Sequence, residues 1–217
     1  MYYRIDPLWL GETCAILTCG PSTAQHNLRC LSKVRVIAIN DAWKLWPRAD
    51  VLFSGDYRFF NNNPDLSGYK GPMIACVSPE SFDSIKDKRK VHIGRGPRRG
   101  ITRDNTKVAG QFTCVGQAVN FAFHRGCRRI VLVGVDLCPS EEGRRYATSE
   151  EIAGKDVIET YSNMQRNLEY LGRVSERYRL GLRIAGQRSK LRGIRKFNTL
   201  EEALFSNLVV KSRRRKR

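Results

Sequence analysis

The chain has 217 residues, 41% of them hydrophobic and 28% charged; that is enough length and apolar content for one full-sized domain with its own core, and it excludes an intrinsically disordered chain. No run of about 18 apolar residues is present, which excludes a transmembrane helix. Thirty-nine Lys and Arg against 21 Asp and Glu leave a net charge of +18, which points to a polyanionic partner: DNA, RNA, an acidic membrane surface or an acidic glycan.

The opening Met1-Tyr2-Tyr3-Arg4-Ile5-Asp6 has no charged region leading into an apolar one, so no secretory signal is expected. Residues 13–19 read as a short buried strand, followed by Gly20-Pro21-Ser22-Thr23 and a helix-like stretch to about Leu31. Residues 34–40, 50–56 and 72–77 read as three more strands with short connections, the spacing of a parallel sheet covered by helices. Residues 86–107 hold nine basic and two acidic side chains with little hydrophobic period, and the stretch to Gly110 predicts a basic loop insertion. Val115, Ala118, Val119 and Ala122 mark one face of a helix that Gly126 ends. Residues 129–136 (RIVLVGVD) form the strongest strand, and the polar residues 138–155 predict a second functional loop.

Val157, Tyr161, Met164, Leu168 and Leu171 define a long amphipathic helix. Residues 182–185 suggest a last strand, and Thr199-Leu200-Glu201-Glu202 a capping box. The last seven residues carry six positive charges, so a disordered basic tail is expected over 211–217. Without those six charges the body still carries +12, and its basic clusters favour nucleic acid among the polyanions. The fold expected is α/β: a single Rossmann-like domain over 1–210, mostly parallel sheet with helices on both faces. The seven cysteines are odd in number and include no CxxC pair, which fits thiols packed as small hydrophobes in a reducing cytoplasm.

Chemistry is expected at the carboxyl ends of the strands, where open α/β sheets bind ligands. Gly20 allows close backbone approach, and the helix after it offers free N–H groups to an anion. Ser22 or Thr23 caps that helix and donates to a phosphate oxygen. At the second strand end, Asn40 and Asp41 either bond a base or ribose, with Trp43 stacking, or cap the next helix. Asp56 either holds a hydroxyl, a metal or a reacting proton, or caps a helix. Asp136 ends the strongest strand at the same edge. Arg144, Arg145 and Tyr146 either receive the phosphate of a leaving group or are surface residues of a mobile loop. Of His26, His92 and His124, His92 in the basic loop is the better candidate for proton transfer. Neither GxxxxGK[ST] nor a full GxGxxG occurs, which disfavours a P-loop ATPase and a dinucleotide oxidoreductase.

The Gly-Pro-Ser turn, then VIAIND, ADVLFSGDYRFF, VGQAVNFAFHRGCRRIVLVGVDL and LEEAL, resemble a group of small phage and bacterial proteins over about residues 12–206. That group is similar to the single-domain bacterial sialyltransferases and to the pterin pyrophosphokinase-like (MptE-like) domain. The resemblance implies that Gly20, Pro21, Ser22 and Asn40 hold the nucleotide of a sugar donor of CMP or UDP type. It assigns Tyr146, and after it Tyr161, to the donor phosphate. The sialyltransferases use a late histidine base, whereas this chain has no histidine after His124; Asp56 or Asp136 is then the expected base.

The expected function is a transferase using a nucleotide-activated donor, with phage nucleic acid as an acceptor reached through the basic loop and tail. One alternative is a pyrophosphokinase-like enzyme using ATP and magnesium on Asp56 and Asp136. Another is a non-catalytic nucleic-acid-binding protein on an enzyme-like fold. The expected location is the cytoplasm, that of the host if the protein is phage-encoded.

Overall fold

The computed structural model describes residues 2–110, 112–147, 149–152 and 155–206; the tail 211–217 lies outside them. The strands in chain order are β1 (Thr13–Leu17), β2 (Arg35–Ile39), β3 (Val51–Ser54), β4 (Met73–Ala75), β5 (Lys90–His92), β6 (Gly94–Arg95), β7 (Lys107–Val108), β8 (Arg129–Val133), β9 (Arg144–Tyr146), β10 (Ser149–Ile152), β11 (Gly181–Ala185) and β12 (Arg195–Phe197). Eight of them form one parallel sheet in the order β12-β11-β8-β1-β2-β3-β4-β5. β6 pairs β7 in parallel, and β9 pairs β10 as an antiparallel hairpin.

The sequences TCAIL, RVIAI, VLFS and RIVLV are nearly continuous apolar runs, as strands buried on both faces require. Alternate residues serve opposite faces. Cys14, Ile16, Ile37, Phe53, Ile130, Leu132 and Ile184 enter one cluster. Ala15, Leu17, Ala38, Leu52, Val131, Val133 and Ala185 enter the other.

The first face is covered by α3 (Cys114–His124), α4 (Lys155–Ser175) and the N-terminal Ile5 and Trp9. The second is covered by α1 (Tyr57–Asn62), α5 (Leu200–Phe205) and the 3-10 turns Leu28–Lys33 and Asn40–Lys44. α2 (Pro79–Ser84) leads to the edge strand β5. The architecture is a single Rossmann-like α/β domain. The capping box is present at α5: Thr199 Oγ1 accepts the Glu202 N–H at 3.1 Å, and the Glu202 carboxylate accepts the Thr199 N–H at 3.4 Å.

From β1 the chain moves outward to β5, then returns to place β8 on the other side of β1. The β1/β8 boundary is therefore the topological switch point, where the loops leaving the two strands diverge and open a crevice.

Three details differ from the sequence reading. The stretch after Thr23 is not one helix but two 3-10 turns, Pro21–Gln25 and Leu28–Lys33, because Ala24 and Gln25 offer no apolar face and Asn27 starts a new turn by accepting the Arg29 N–H at 3.2 Å. The basic stretch 86–110 contributes β5, β6 and β7. Lys-Val-His at the sheet edge is only partly buried and carries no apolar run. β12 escapes notice for the same reason, since Arg-Lys-Phe pairs on one side only. No described helix is long and apolar enough to cross a membrane.

Candidate functional site

A cleft of about 570 Å³ opens at the carboxyl edge of the sheet. It lies over the switch point and gathers the loops that leave β1, β2, β3 and β8. The first turn of α3, the β9 hairpin and the amino half of α4 complete its walls. Gly20, Pro21, Asn40, Asp41, Asp56, Asp136, Arg145 and Tyr146 all line it. Arg144 instead faces a neighbouring recess of about 240 Å³, with Pro21, Tyr146 and Arg188.

The floor is an interlock between the two diverging loops. Thr18 Oγ1 donates to the Gly134 carbonyl at 2.7 Å. Asp136 is buried and accepts the Ser22 N–H at 2.7 Å and the Ser22 hydroxyl at 2.6 Å. Thr23 Oγ1 donates to the Thr18 carbonyl at 2.9 Å. A Cβ on Gly20 would lie 1.8 Å from the Gly134 oxygen. A Cβ on Gly134, whose φ is +73°, would lie 1.9 Å from Thr23 Oγ1.

These contacts correct the expectation for the Ser22 and Thr23 hydroxyls and give Gly20 and Asp136 structural roles beside their place in the cleft. Ser22 and Thr23 are buried, so their hydroxyls bond the protein and do not face a phosphate. Gly20 is required by the β8 loop pressed against it, whatever approaches from the cleft. Asp136 has both oxygens engaged by Ser22 and acts as a strut between the loops.

Asn40 sits at the end of β2 in the left-handed region, with φ 50°. This conformation is tolerated by Asn better than by most side chains. The side-chain Oδ1 of Asn40 is buried and lacks a hydrogen-bond partner. A buried acceptor left unpaired costs about 1–3 kcal/mol, so a ligand donor at this position recovers a bond the fold leaves unmade. Asp41 pairs with Lys44 at 2.6 Å. Trp43 does not stack over the cleft: it packs among the core residues of the second face, 6.4 Å from Tyr69 between ring centres.

Asp56 caps α1 by accepting the Arg58 N–H at 3.0 Å, and it also receives the Arg58 guanidinium at 3.1 and 3.0 Å. The helix-cap reading therefore holds, and the carboxylate still borders the cleft. Gly55 packs its backbone on α3, donating its N–H to Cys114 Sγ at 3.3 Å. Thr113 caps α3 by accepting from the Val115 and Gly116 N–H groups at 3.0 and 3.4 Å. The amino end of this 11-residue helix thus faces the cleft, with its dipole favouring negative charge there.

The β9 hairpin is tied to the Gly-Pro turn by the Ala147 N–H, which donates to the Cys19 carbonyl at 2.7 Å. Arg145 lies over the Tyr146 ring at 4.7 Å. Burial pushes the Tyr161 phenol up from its ordinary value, while the adjacent Arg145 guanidinium opposes that shift. Arg145, Tyr146 and Tyr161 thus bring one cation and two phenols to the same wall. Behind the Gly-Pro turn, burial lowers the His26 pKa, against an opposing attraction from Asp136. His92 lies away from the cleft, its ring stacked on Phe82 at 4.2 Å and its Nε2 3.1 Å from the Val77 carbonyl.

Sequence reasoning missed Arg58 and the α3 amino end. Arg58 follows Asp56 by two residues, the spacing at which a cap residue and a cation fold back on each other. Thr113 before an apolar helical period marks the cap of α3, but nothing local says that this end reaches the cleft. Among the described residues, no group of three or more His, Cys, Asp or Glu side chains is placed to hold a metal.

The sequence matches no protein-family model, and no curated protein matches it.

Proposed function

We propose that the chain is a transferase that binds a nucleotide-activated donor, a sugar nucleotide of CMP or UDP type, in the switch-point cleft. The observation that carries the reading is convergence. A capped helix end, Arg145 with two phenols, and the unpartnered Asn40 amide all face one cleft of about 570 Å³. Volumes of roughly 300–1,000 Å³ suit such ligands. The resemblance of the Gly-Pro-Ser turn and of Asn40 to the sialyltransferase pattern points the same way.

In this reading the Asn40 amide and Asp41 meet the base or ribose, and the Gly20-Pro21 backbone lies along the donor. Arg145, Tyr146 and Tyr161 receive the departing phosphate. The acceptor hydroxyl attacks the anomeric carbon, the bond from that carbon to the phosphate oxygen breaks, and the negative charge leaves with the nucleotide. Charge growing on that phosphate is what Arg145 stabilises. Asp56 takes the acceptor proton: its side chain is 35% exposed, whereas Asp136 is buried under Ser22. The acceptor is a hydroxyl on nucleic acid, a choice that rests on the +18 charge.

An ATP and magnesium reading draws on Asp56 and Asp136 bordering the same cleft. Asp136 is buried with both oxygens engaged by Ser22, which leaves no second free carboxylate to complete a magnesium pair with Asp56, so the donor reading is preferred.

The test is a thermal-shift screen of the full chain against CMP, UDP, GDP, ATP and sugar nucleotides, with and without Mg²⁺. A ligand at 100 times its Kd stabilises the fold by about 2.7 kcal/mol. For a chain of this size that raises Tm by about 5–10 °C. Stabilisation by one sugar nucleotide, lost in Asn40→Ala and Arg145→Ala, supports the reading. Stabilisation by Mg-ATP alone replaces it with the pyrophosphokinase-like one. No response to any nucleotide, with retained binding to DNA, replaces it with a non-catalytic binding protein.

A further inference from the structure

A second charged feature stands apart from the cleft, at the amino edge of the sheet. Arg103, Arg128, Arg177 and Arg179 surround Phe123 and Tyr178 in a shallow recess of about 360 Å³. Arg128 and Gly181 precede and open adjacent strands, the Gly181 N–H donating to the Arg128 carbonyl at 2.7 Å. Phe123 is in the last turn of α3, and Tyr178 follows the end of α4. Seventeen residues of helix and turn separate Tyr161 in the cleft from Tyr178. At 1.5 Å per residue the two sites are about 25 Å apart.

The recess is built for cations. Phe123 and Tyr178 meet edge to face at 5.4 Å. Arg128 lies 5.5 Å over Phe123, and Arg103 lies 5.9 Å over Tyr178. The rings hold two guanidiniums by cation–π contact while leaving their N–H forks exposed. Arg128 spends one N–H on the Cys127 carbonyl at 3.1 Å. Among the described residues, none of the four arginines forms an ion pair with a carboxylate. Asp104, next to Arg103, is turned to Thr106 and Lys107. Glu176 is the other acid nearby; it is exposed at the start of the 3-10 turn.

Arg179 adds an independent observation. It has φ 53° and ends the 3-10 turn that continues α4. Its N–H donates to the Glu176 carbonyl at 3.0 Å, and the Leu180 N–H donates to the Ser175 carbonyl at 3.1 Å. This pair of bonds is the Schellman ending, whose left-handed residue is ordinarily glycine. Here an arginine holds that position against its backbone preference.

We infer that this arginine–aromatic recess is a docking site for the phosphate backbone of nucleic acid, separate from the cleft and acting as a tether. Guanidinium forks match phosphate oxygens two by two. Each ring has a guanidinium over it, and no aliphatic side chain lines the recess. This favours a phosphate strand over a bilayer, which takes inserted apolar groups. A site about 25 Å from the cleft holds the polymer while a different part of it, or a different molecule, occupies the cleft.

The test is fluorescence anisotropy of the full chain with a 20-base-pair duplex, followed against salt. Each arginine on a phosphate contributes about 0.9 to the slope of log K against log salt. The variant R103A/R128A/R177A/R179A is expected to lose about 3–4 of that slope and to bind at least 50-fold more weakly at low salt. Arg179→Gly is expected to raise Tm while weakening binding and lowering the slope by about 0.9. Thermal shift by the nucleotide that the cleft binds stays unchanged in these variants, so failure here is distinct from failure of the donor reading. An unchanged slope in the folded quadruple variant overturns the inference. So does binding to phosphatidylserine vesicles that the variant abolishes while leaving duplex binding intact.

Discussion

Removing the Asp136 carboxylate separates a structural strut from a chemical group. Asp136→Ala strands a buried N–H and a buried hydroxyl of Ser22, which now bond it at 2.7 and 2.6 Å. Hydrogen bonds to a charged group are worth about 1.5–3 kcal/mol each, so the two together place the loss at roughly 3–6 kcal/mol. For a domain of this size each kcal/mol moves Tm by about 2–4 °C, which sets the expected fall at about 6–24 °C. Asp136→Asn keeps the shape and one carbonyl acceptor, and the Ser22 hydroxyl can turn to accept from the new amide. Its expected loss is less than half that of the alanine variant. The assay is urea denaturation beside thermal melting, each with the rate of the proposed transfer reaction measured on the same preparations. An Asp136→Ala protein as stable as the parent refutes the strut. An Asp136→Asn protein of parental stability with no activity returns Asp136 to the chemistry.

Other outcomes follow from the same contacts. Gly20→Ala sets a Cβ where only 1.8 Å separates it from the Gly134 oxygen; melting is expected to show a loss of at least 1–3 kcal/mol, as overpacked sites do. Phe121→Ala empties a fully buried site 5.9 Å from Phe53 and is expected to cost about 3–5 kcal/mol in denaturant titration. Burial lowers the pKa of both His26 and His124 from the ordinary 6.5. The unfolded chain therefore binds protons below that pH that the fold refuses. Stability is full above pH 6.5 and falls as pH drops below it, by at most about 1.4 kcal/mol per pH unit for each histidine. His26→Gln with His124→Gln is expected to flatten that part of the pH–stability curve. Cys19 and Cys138 line the cleft whereas Cys14 and Cys76 are buried, and burial drives the Cys76 thiol to about 12. Alkylation at pH 8 is expected to reach Cys19 and Cys138 first and to slow at both when a nucleotide binds.

The strand ends were legible because strands buried on both faces are written as apolar runs, and each run here stops at a polar residue or a glycine. Gly20, Asn40, Asp56 and Asp136 could be placed at one edge on that pattern alone. What the sequence hid was direction. Nothing in Gly-Pro-Ser-Thr tells that both hydroxyls turn inward, since that depends on Asp136 and Thr18 meeting them across the switch point. Trp43 reads as a stacking group until Tyr69 is brought beneath it. β5 and β12 went unread because edge strands are paired on one side and carry cations in place of a core pattern. The arginine recess joins residues 103, 123, 128 and 177–179, so only the fold assembles it.

Hydrogen exchange with the most stabilising nucleotide present separates a donor site at the switch point from binding elsewhere on the fold. Slowed exchange is expected at 18–23, 40–42, 113–117 and 134–138, with no change at 125–129 or 176–181. Protection confined to those last two segments, with the three strand-end loops and the amino end of α3 unchanged, would contradict a donor site at the β1/β8 switch point.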